Sequence, residues 1–262
     1  MARYQLTLAY DGTDFFGSQR QAKSRTVQGE LEKALCKLGW TGRSVMLSGR
    51  TDTGVHATGQ VASVDLDWSH ADNELVRALN AALPADMAVH EARMVHAKFH
   101  PRFDATSRRY RYRLFCHSLR HPLRERFAWR IWPELDSDTL ATTAQLFLGT
   151  HDFSAFGSPT TPRGSTVRTV MKAEWLQFAD GIWQFEVQAD AFLYRMVRRL
   201  VFVQVAVAQG KASAEGIAHS LAGQAPAGTR SETLVTVPAG LAPAHGLTLV
   251  EVTYPSLESI GE

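Results

Sequence analysis

The order in which the hydrophobic period changes along the first hundred residues constrains the fold more than any other feature. Tyr4, Leu6, Leu8 and Tyr10 alternate with more polar neighbours and Asp11-Gly12 ends the run, which predicts a strand over 3–11. Thr26 then stands as an N-cap before Val27, Leu31, Leu35 and Leu38, spaced for one face of a helix that Gly39 stops. A short apolar run, Val45-Met46-Leu47, and a strand over 59–66 follow. Ser69 opens a second amphipathic helix through Leu75, Leu79 and Ala82, ending before Pro84, and residues 87–95 read as a further strand. Strand, helix, strand, strand, helix, strand is the order of the ferredoxin-like split βαβ arrangement, an α+β plait whose sheet is mainly antiparallel.

The second part of the chain repeats the alternation less regularly. Residues 106–115 read as a strand, and 118–132, rich in Arg and His, as an exposed irregular loop. Asp136 or Ser137 caps a helix through Leu140, Ala144, Phe147 and Leu148 that Gly149 closes. Gly157 to Thr166 reads as a surface loop, and Asp180-Gly181 as a hairpin turn between runs 167–179 and 182–189. A helix start lies within Ala191–Phe202 and a short helix begins at Ser213. An Ala/Gly/Pro-rich stretch, a last strand near Leu247–Tyr254 and a frayed end complete the chain.

At 262 residues the chain suits one large domain or two small ones, and 45% hydrophobic with 21% charged residues is ordinary for a soluble globular protein. Cys36 and Cys116 have neither metal nor redox spacing and fit a reduced cytosolic compartment. No apolar signal core opens the chain and no run reaches transmembrane length, so a cytoplasmic protein with no membrane partner is expected. The formal net charge is only +2, yet Arg102 to Arg130 holds nine arginines against Asp104 and Glu125. Such a local basic face suits a polyanionic partner, or is simply a solvated strand face.

Between the third and fourth predicted elements lies Gly49-Arg50-Thr51-Asp52-Thr53-Gly54-Val55-His56-Ala57. Two glycines bracket a carboxylate that has a guanidinium on one side and an imidazole on the other. Asp and Thr between glycines favour a structural turn, because their side chains bond nearby backbone. The same spacing serves a carboxylate nucleophile or base on a loop held by a rigid sheet. Spacing alone leaves both readings open.

The whole nine-residue string resembles the catalytic G-R-T-D-x-G-V-H motif of the tRNA pseudouridine synthase A family, and the resemblance continues along the chain. Tyr10-Asp11-Gly12 through Gln21 is similar to the family's Y-D-G-x-x-F-x-G-W-Q-x-Q, with Ser18 where tryptophan is usual. His100-Pro101-Arg102-Phe103, His151-Asp152-Phe153 and Ala242-Pro243-Ala244-His245-Gly246-Leu247 are similar to other family segments, and similarity runs from Tyr4 to Pro255. Arg109-Tyr110-Arg111-Tyr112 resembles R-x-Y-x-Y, which places the active-site tyrosine on Tyr110. By alternation Tyr110, Tyr112 and Leu114 share one strand face and Arg109, Arg111 and Arg113 the other, with Tyr112 in the core. Met196-Val197-Arg198 resembles M-V-R-N, placing the aspartate's cationic partner on Arg198; Arg199 replaces the asparagine and Phe202 a small residue.

The resemblance implies two ferredoxin-like halves, 1–100 with the catalytic loop and 101–262, in the pseudouridine synthase fold. It implies an isomerase that converts uridines 38–40 of the tRNA anticodon stem-loop to pseudouridine, without metal or other cofactor, as a homodimer. Asp52 and Arg198 would be catalytic, and Tyr110, Arg50, Arg20 and His56 would bind the substrate. The helical spacing of His96 and His100 lacks a third metal ligand, and Pro101 interrupts it. Two other classes fit the residues less well: a non-catalytic RNA-binding protein, and a hydrolase using Asp52 with His56.

Overall fold

The computed structural model describes residues 1–222 and 237–255. The chain folds into two compact units, Met1–Arg108 with the segment from Thr248, and Arg109–Leu247.

The first unit follows the expected order of periods. Its elements are β1 (Ala2–Tyr10), α1 (Val27–Lys37), β2 (Met46–Leu47), β3 (His56–Leu66), α2 (Asp72–Ala82) and β4 (Met87–Val95). Strand β1 lies between β4 and β3 and is antiparallel to both, while β2 pairs with β3 at Met46↔Ser63 and Leu47↔Ala62. That is the interleaved order of a split βαβ plait. The last strand of the chain, β10 (Leu247–Thr253), pairs in parallel with the other end of the same β3 edge, at Thr248↔His56.

Tyr4, Leu6, Leu8, Leu31, Leu35, Leu75 and Leu79 are buried between this sheet and its two helices. Each such leucine contributes roughly 1.5–3 kcal/mol of burial. The Thr26 hydroxyl accepts from Gly29 N at 3.2 Å and Gly39, at φ 86°, ends the first helix turn, as expected. Helix α2 starts later than Ser69 suggests. Glu74 reaches back to accept from Ala71 N at 3.2 Å, and Trp68 Nε1 donates to Ala71 O, so Ala71 takes the cap position.

The second unit contains β5 (Ser107–Cys116), whose first two residues belong to the first unit, α3 (Pro122–Glu125), β6 (Trp129–Ile131), α4 (Ser137–Gln145), β7 (Gly149–Asp152), β8 (Val167–Gln177), β9 (Ile182–Ala189), α5 (Met196–Ala208) and α6 (Ala214–Leu221). Its strand order is β5-β9-β8-β7, with β8 antiparallel to β9 and β7. Tyr112 and Leu114 are fully buried, as the alternation of β5 requires. The arginines of the opposite face are backed by β9: Arg111 donates to Glu186 at 3.1 Å and Arg113 to Gln184 at 3.3 Å.

Two expectations change in this unit, and the start of a third element is fixed. Residues 118–132 are not an irregular loop, because β6 pairs in parallel with β5, and Ile131 in it and Ala128 just before it are buried. Helix α4 keeps the Asp136 cap, accepting from Thr139 N at 2.7 Å, but ends at Gln145, with Phe147 and Leu148 in the turn before Gly149. Helix α5 begins at Met196 because the preceding residues pair elsewhere: Tyr194 and Ser158 exchange backbone hydrogen bonds in an isolated bridge. Arg195 then turns the chain at φ 65°. The expected Ala/Gly/Pro-rich stretch and frayed end fall mostly or wholly outside the described residues. Among the described residues no helix is long and apolar enough to cross a membrane.

Candidate active site

The Gly49–Ala57 string links β2 to β3, and its conformation is dictated by what it rests on. Val55 N donates to Asp52 O at 3.1 Å, so residues 52–55 form a β-turn with Gly54 at φ 79° in the position that demands a positive angle. Asp52 opens that turn half-buried, between buried Thr51 and exposed Thr53. The structural-turn reading and the functional reading therefore describe one object, since the turn is what presents the carboxylate.

The loop's lower surface is the Gly12–Ser18 segment. A Cβ on Gly12 would fall 2.0 Å from Val55 O, and one on Gly17, at φ 83°, would fall 2.9 Å from Thr51 O. Only glycine allows so close a backbone approach at these two points. Ser18 N donates to Thr51 O at 3.1 Å, and Ser18 Oγ accepts from Thr51 N at 2.8 Å. A serine where the related motif has tryptophan thus has a definite task here: it meets the backbone of the residue before Asp52.

A second buried set lies beneath. Thr51 Oγ1 and Tyr10 OH are 2.9 Å apart, and Gln60 on β3 donates to Gly49 O at 3.0 Å and to Tyr10 OH at 3.4 Å. Gln60 also accepts from Ser48 Oγ at 2.6 Å and from Val61 N at 3.2 Å. Burial raises the Tyr10 pKa above its ordinary value, and its bonds to Thr51 and Gln60 offset only part of that, so Tyr10 is a neutral phenol at physiological pH. None of Ser18, Thr51, Tyr10 or Gln60 was singled out for this by periodicity, which reads Tyr10 as core and Gln60 as an ordinary strand residue.

His56 is 5% exposed. Its Nδ1 lies 2.9 Å from Gly12 N and 3.1 Å from Asp11 Oδ1. One ring nitrogen cannot accept from the first and donate to the second at once. A ring protonated on Nε2 alone accepts from the Gly12 N–H, and one protonated on Nδ1 donates to Asp11 from the same position. Either way the imidazole braces the Asp11–Asp14 turn against the start of β3.

Arg50 is exposed on the loop. Arg20 stands apart from it, with a half-exposed guanidinium donating to Glu32 Oε2 at 2.8 Å and to Arg43 O. Together with Lys23, Arg25, Lys33 and Arg43, Arg20 rims an open groove of about 850 Å³ along α1, which Glu30 and Glu32 also line.

In the second unit Tyr110 is 9% exposed on β5, with its ring edge-on to Phe192 at 5.1 Å. Arg198 sits in the first turn of α5, where Nε donates to Ala242 O at 2.8 Å and the backbone carbonyl accepts from Ala242 N at 3.2 Å. Tyr112 OH donates to Pro243 O at 2.9 Å. Burial pushes the Tyr112 pKa well above its ordinary value, against a smaller opposing effect of the Arg198 charge. The two unusual neighbours of Arg198 face one segment: Arg199 donates to the carbonyls of Val237, Pro238 and Gly240, and the Phe202 ring lies against Gly240. Among the described residues no three of His, Cys, Asp and Glu gather as a metal site, and His100 Nδ1 accepts from Arg102 N and Phe103 N.

A family model described as tRNA pseudouridine synthase matches residues 7–104 and 143–255. The matched segments contain Arg20, Arg50, Asp52, His56 and Arg198 and pass over Tyr110. The α+β plait is thus that of a pseudouridine synthase, and the matched segments include the glycine-bracketed aspartate loop. A protein of Solidesulfovibrio magneticus named tRNA pseudouridine synthase A is 45% identical, covering 97% of this chain and 92% of its own length. Proteins of the same name from Chloroflexus aurantiacus and a Geobacter species are 40% and 38% identical, again over 97% of this chain and 90% and 100% of theirs. The chain belongs to the tRNA pseudouridine synthase family.

Proposed function

We propose that this protein isomerises uridines 38–40 in the anticodon stem-loop of tRNA, with Asp52 as the catalytic carboxylate. Family membership makes it an isomerase that converts uridine to pseudouridine in tRNA. The N1–C1′ bond breaks, a C5–C1′ bond forms, and the C5 proton leaves while N1 gains one, so no atom is gained or lost overall. The observation that carries the assignment to Asp52 is its place on a turn whose neighbours are fixed by buried hydrogen bonds while its own side chain stays half-exposed.

A uridine in a stem or loop must be turned out of its stack, at a cost of a few kcal/mol, before a carboxylate can reach its sugar or base. Arg50, exposed beside Asp52, is suited to fill the vacated space or to hold a phosphate. Arg20, on its basic groove, is suited to the backbone further along. Tyr110 would stack on the base, a contact contributing roughly 1–3 kcal/mol, and could take the C5 proton. His56, the innermost of these groups in the first unit, would meet only a base already turned in.

An ionised Asp52 has three first steps open to it: attack at C1′, attack at C6, or removal of the sugar's 2′ proton. All three need the charged form, which burial opposes and a cation at contact distance favours. Arg198 is that cation in this proposal, permanently charged and able to bind both carboxylate oxygens. The working form is a cytoplasmic homodimer, as the family resemblance implies. Unmodified tRNA incubated with the protein and mapped for pseudouridine tests the proposal; conversion confined to 38–40 supports it, and conversion elsewhere or none contradicts it.

A further inference from the structure

Every polar atom of Thr51, the residue before Asp52, is held by a buried partner. Its N–H donates to Ser18 Oγ, its carbonyl accepts from Ser18 N, and its hydroxyl meets Tyr10 OH at 2.9 Å. Tyr10 is in turn held by Gln60, whose side-chain amide fills its whole capacity, two donor and two acceptor contacts, on Gly49 O, Tyr10 OH, Ser48 Oγ and Val61 N. Ser18, Ser48, Thr51, Tyr10 and Gln60 are each 7% exposed or less. Satisfied networks of this kind, in a low-dielectric interior, hold one geometry rather than several.

We infer that Tyr10, Ser18 and Gln60 are positioning residues for the isomerisation, acting on Asp52 through Thr51. The inference rests on the reading of Asp52 as the catalytic carboxylate. The turn has a single internal backbone hydrogen bond, between Asp52 O and Val55 N, and a long one from Gly54 N to Phe15 O at 3.4 Å, so its shorter anchors are those of Thr51 on one side and His56 on the other. A rigid anchor one residue away sets the carboxylate's position, and a misplacement of about 1 Å costs on the order of 10²-fold in rate. None of the three residues touches substrate in this scheme. They act on the rate of the bound complex and leave RNA affinity alone.

The Tyr10–Thr51 bond can be broken from either end, by Thr51→Val, which keeps the side chain's shape, or by Tyr10→Phe, which removes one oxygen and with it the longer Gln60 contact. Single-turnover rates at saturating tRNA, tRNA affinity and melting temperature are measured for both, for the double variant, for Thr51→Ser and for Asp52→Asn. Each single variant is expected to lose roughly 10- to 100-fold in rate with affinity within about 2-fold. The double variant is expected to lose no more than Tyr10→Phe alone, because the bond that Thr51→Val removes is already absent there. Thr51→Ser, which keeps the hydroxyl, is expected to restore most of the rate.

A lowered melting temperature with a wild-type single-turnover rate in Tyr10→Phe and Thr51→Val would make the network merely structural and overturn the inference. Losses that multiply in the double variant would overturn it too. Should Thr51→Val not fold, Tyr10→Phe still breaks the same bond and carries the same test. Asp52→Asn separates the levels: an inactive Asp52→Asn beside fully active network variants sinks only the positioning role, whereas an active Asp52→Asn sinks the catalytic reading beneath it.

Discussion

Gly240 lies directly against the ring of Phe202: a Cβ at position 240 would fall 2.1 Å from Phe202 Cζ, and Gly240 has φ 149°. Arg199 grips the same segment through Gly240 O at 2.9 Å and through Val237 and Pro238, at the cost of a guanidinium whose pKa burial lowers. Two turns of α5 thereby hold the strap that reaches Ala242, the residue bonded twice to Arg198. Arg199 and Phe202, departures from the related motif, work as one device here. Gly240→Ala should lower stability by about 1–3 kcal/mol in a urea melt, and adding Phe202→Leu should recover part of that loss, with backbone strain accounting for the rest.

Acid should weaken the fold through three carboxylates. The Arg3 guanidinium bonded to Asp65 and the Arg25 guanidinium bonded to Asp86 hold these carboxyls below their ordinary pKa. Burial pushes Glu186 up, but bonds from Lys172 and Arg111 outweigh it and leave it lowered. Each folded value lies below the unfolded one, so the stabilisation is complete above about pH 4.5 and is lost as pH falls through the folded values. Asp86→Asn should therefore cost about 1–2 kcal/mol at pH 7 and progressively less in acid. Melting temperature against pH for both proteins checks this, and a gap that widens in acid would contradict it.

RNA binding should depend on salt, but not through every arginine of 102–130. Arg109 and Arg111 face Glu186, and Arg130 is bonded to Glu125 at 3.0 Å, whereas Arg120 meets Glu125 only at 3.9 Å and its side chain is 80% exposed. Replacing Arg120 by Ala should weaken all tRNAs equally and reduce the slope of log affinity against log salt by about 1. Binding titrations between moderate and high salt measure the slope, and a slope near zero for wild type would remove the phosphate-binding role of this stretch.

The groove along α1 gives a separate expectation. Glu32 Oε2 holds Arg20, and Glu32 Oε1 accepts from Val45 N at 3.0 Å, just before β2. Arg20→Ala should raise the KM for tRNA several-fold with kcat little changed, the signature of uniform binding lost. A fall in kcat alone would place Arg20 at the chemistry instead.

The first unit was legible because its signals are local: alternation in β1, a Thr26 cap with Gly39, and nine consecutive residues of the loop. What holds the loop was not. Thr51 and Ser18 are 33 positions apart and Tyr10 and Gln60 fifty, so no period or cap links them. Tyr10 obeys the core alternation while its hydroxyl does something else. The start of α5 lies within the expected stretch, but its residue is set by the bridge between Ser158 and Tyr194, which joins distant residues that no period links. Residues 118–132 looked irregular because their arginines mask Ala128 and Ile131, the two apolar residues buried at and just before β6.

The role of Asp52 is tested most directly by tritium release from tRNA carrying 5-tritiated uridine. Joining C5 to C1′ expels the label into water, so release counts turnovers, and Asp52→Asn keeps the residue's size and its place on the turn while removing the charge. Wild-type protein should release tritium, and Asp52→Asn should release none above background while binding the same tRNA with similar affinity. Release by Asp52→Asn at the wild-type rate would contradict the assignment of Asp52 as the catalytic carboxylate.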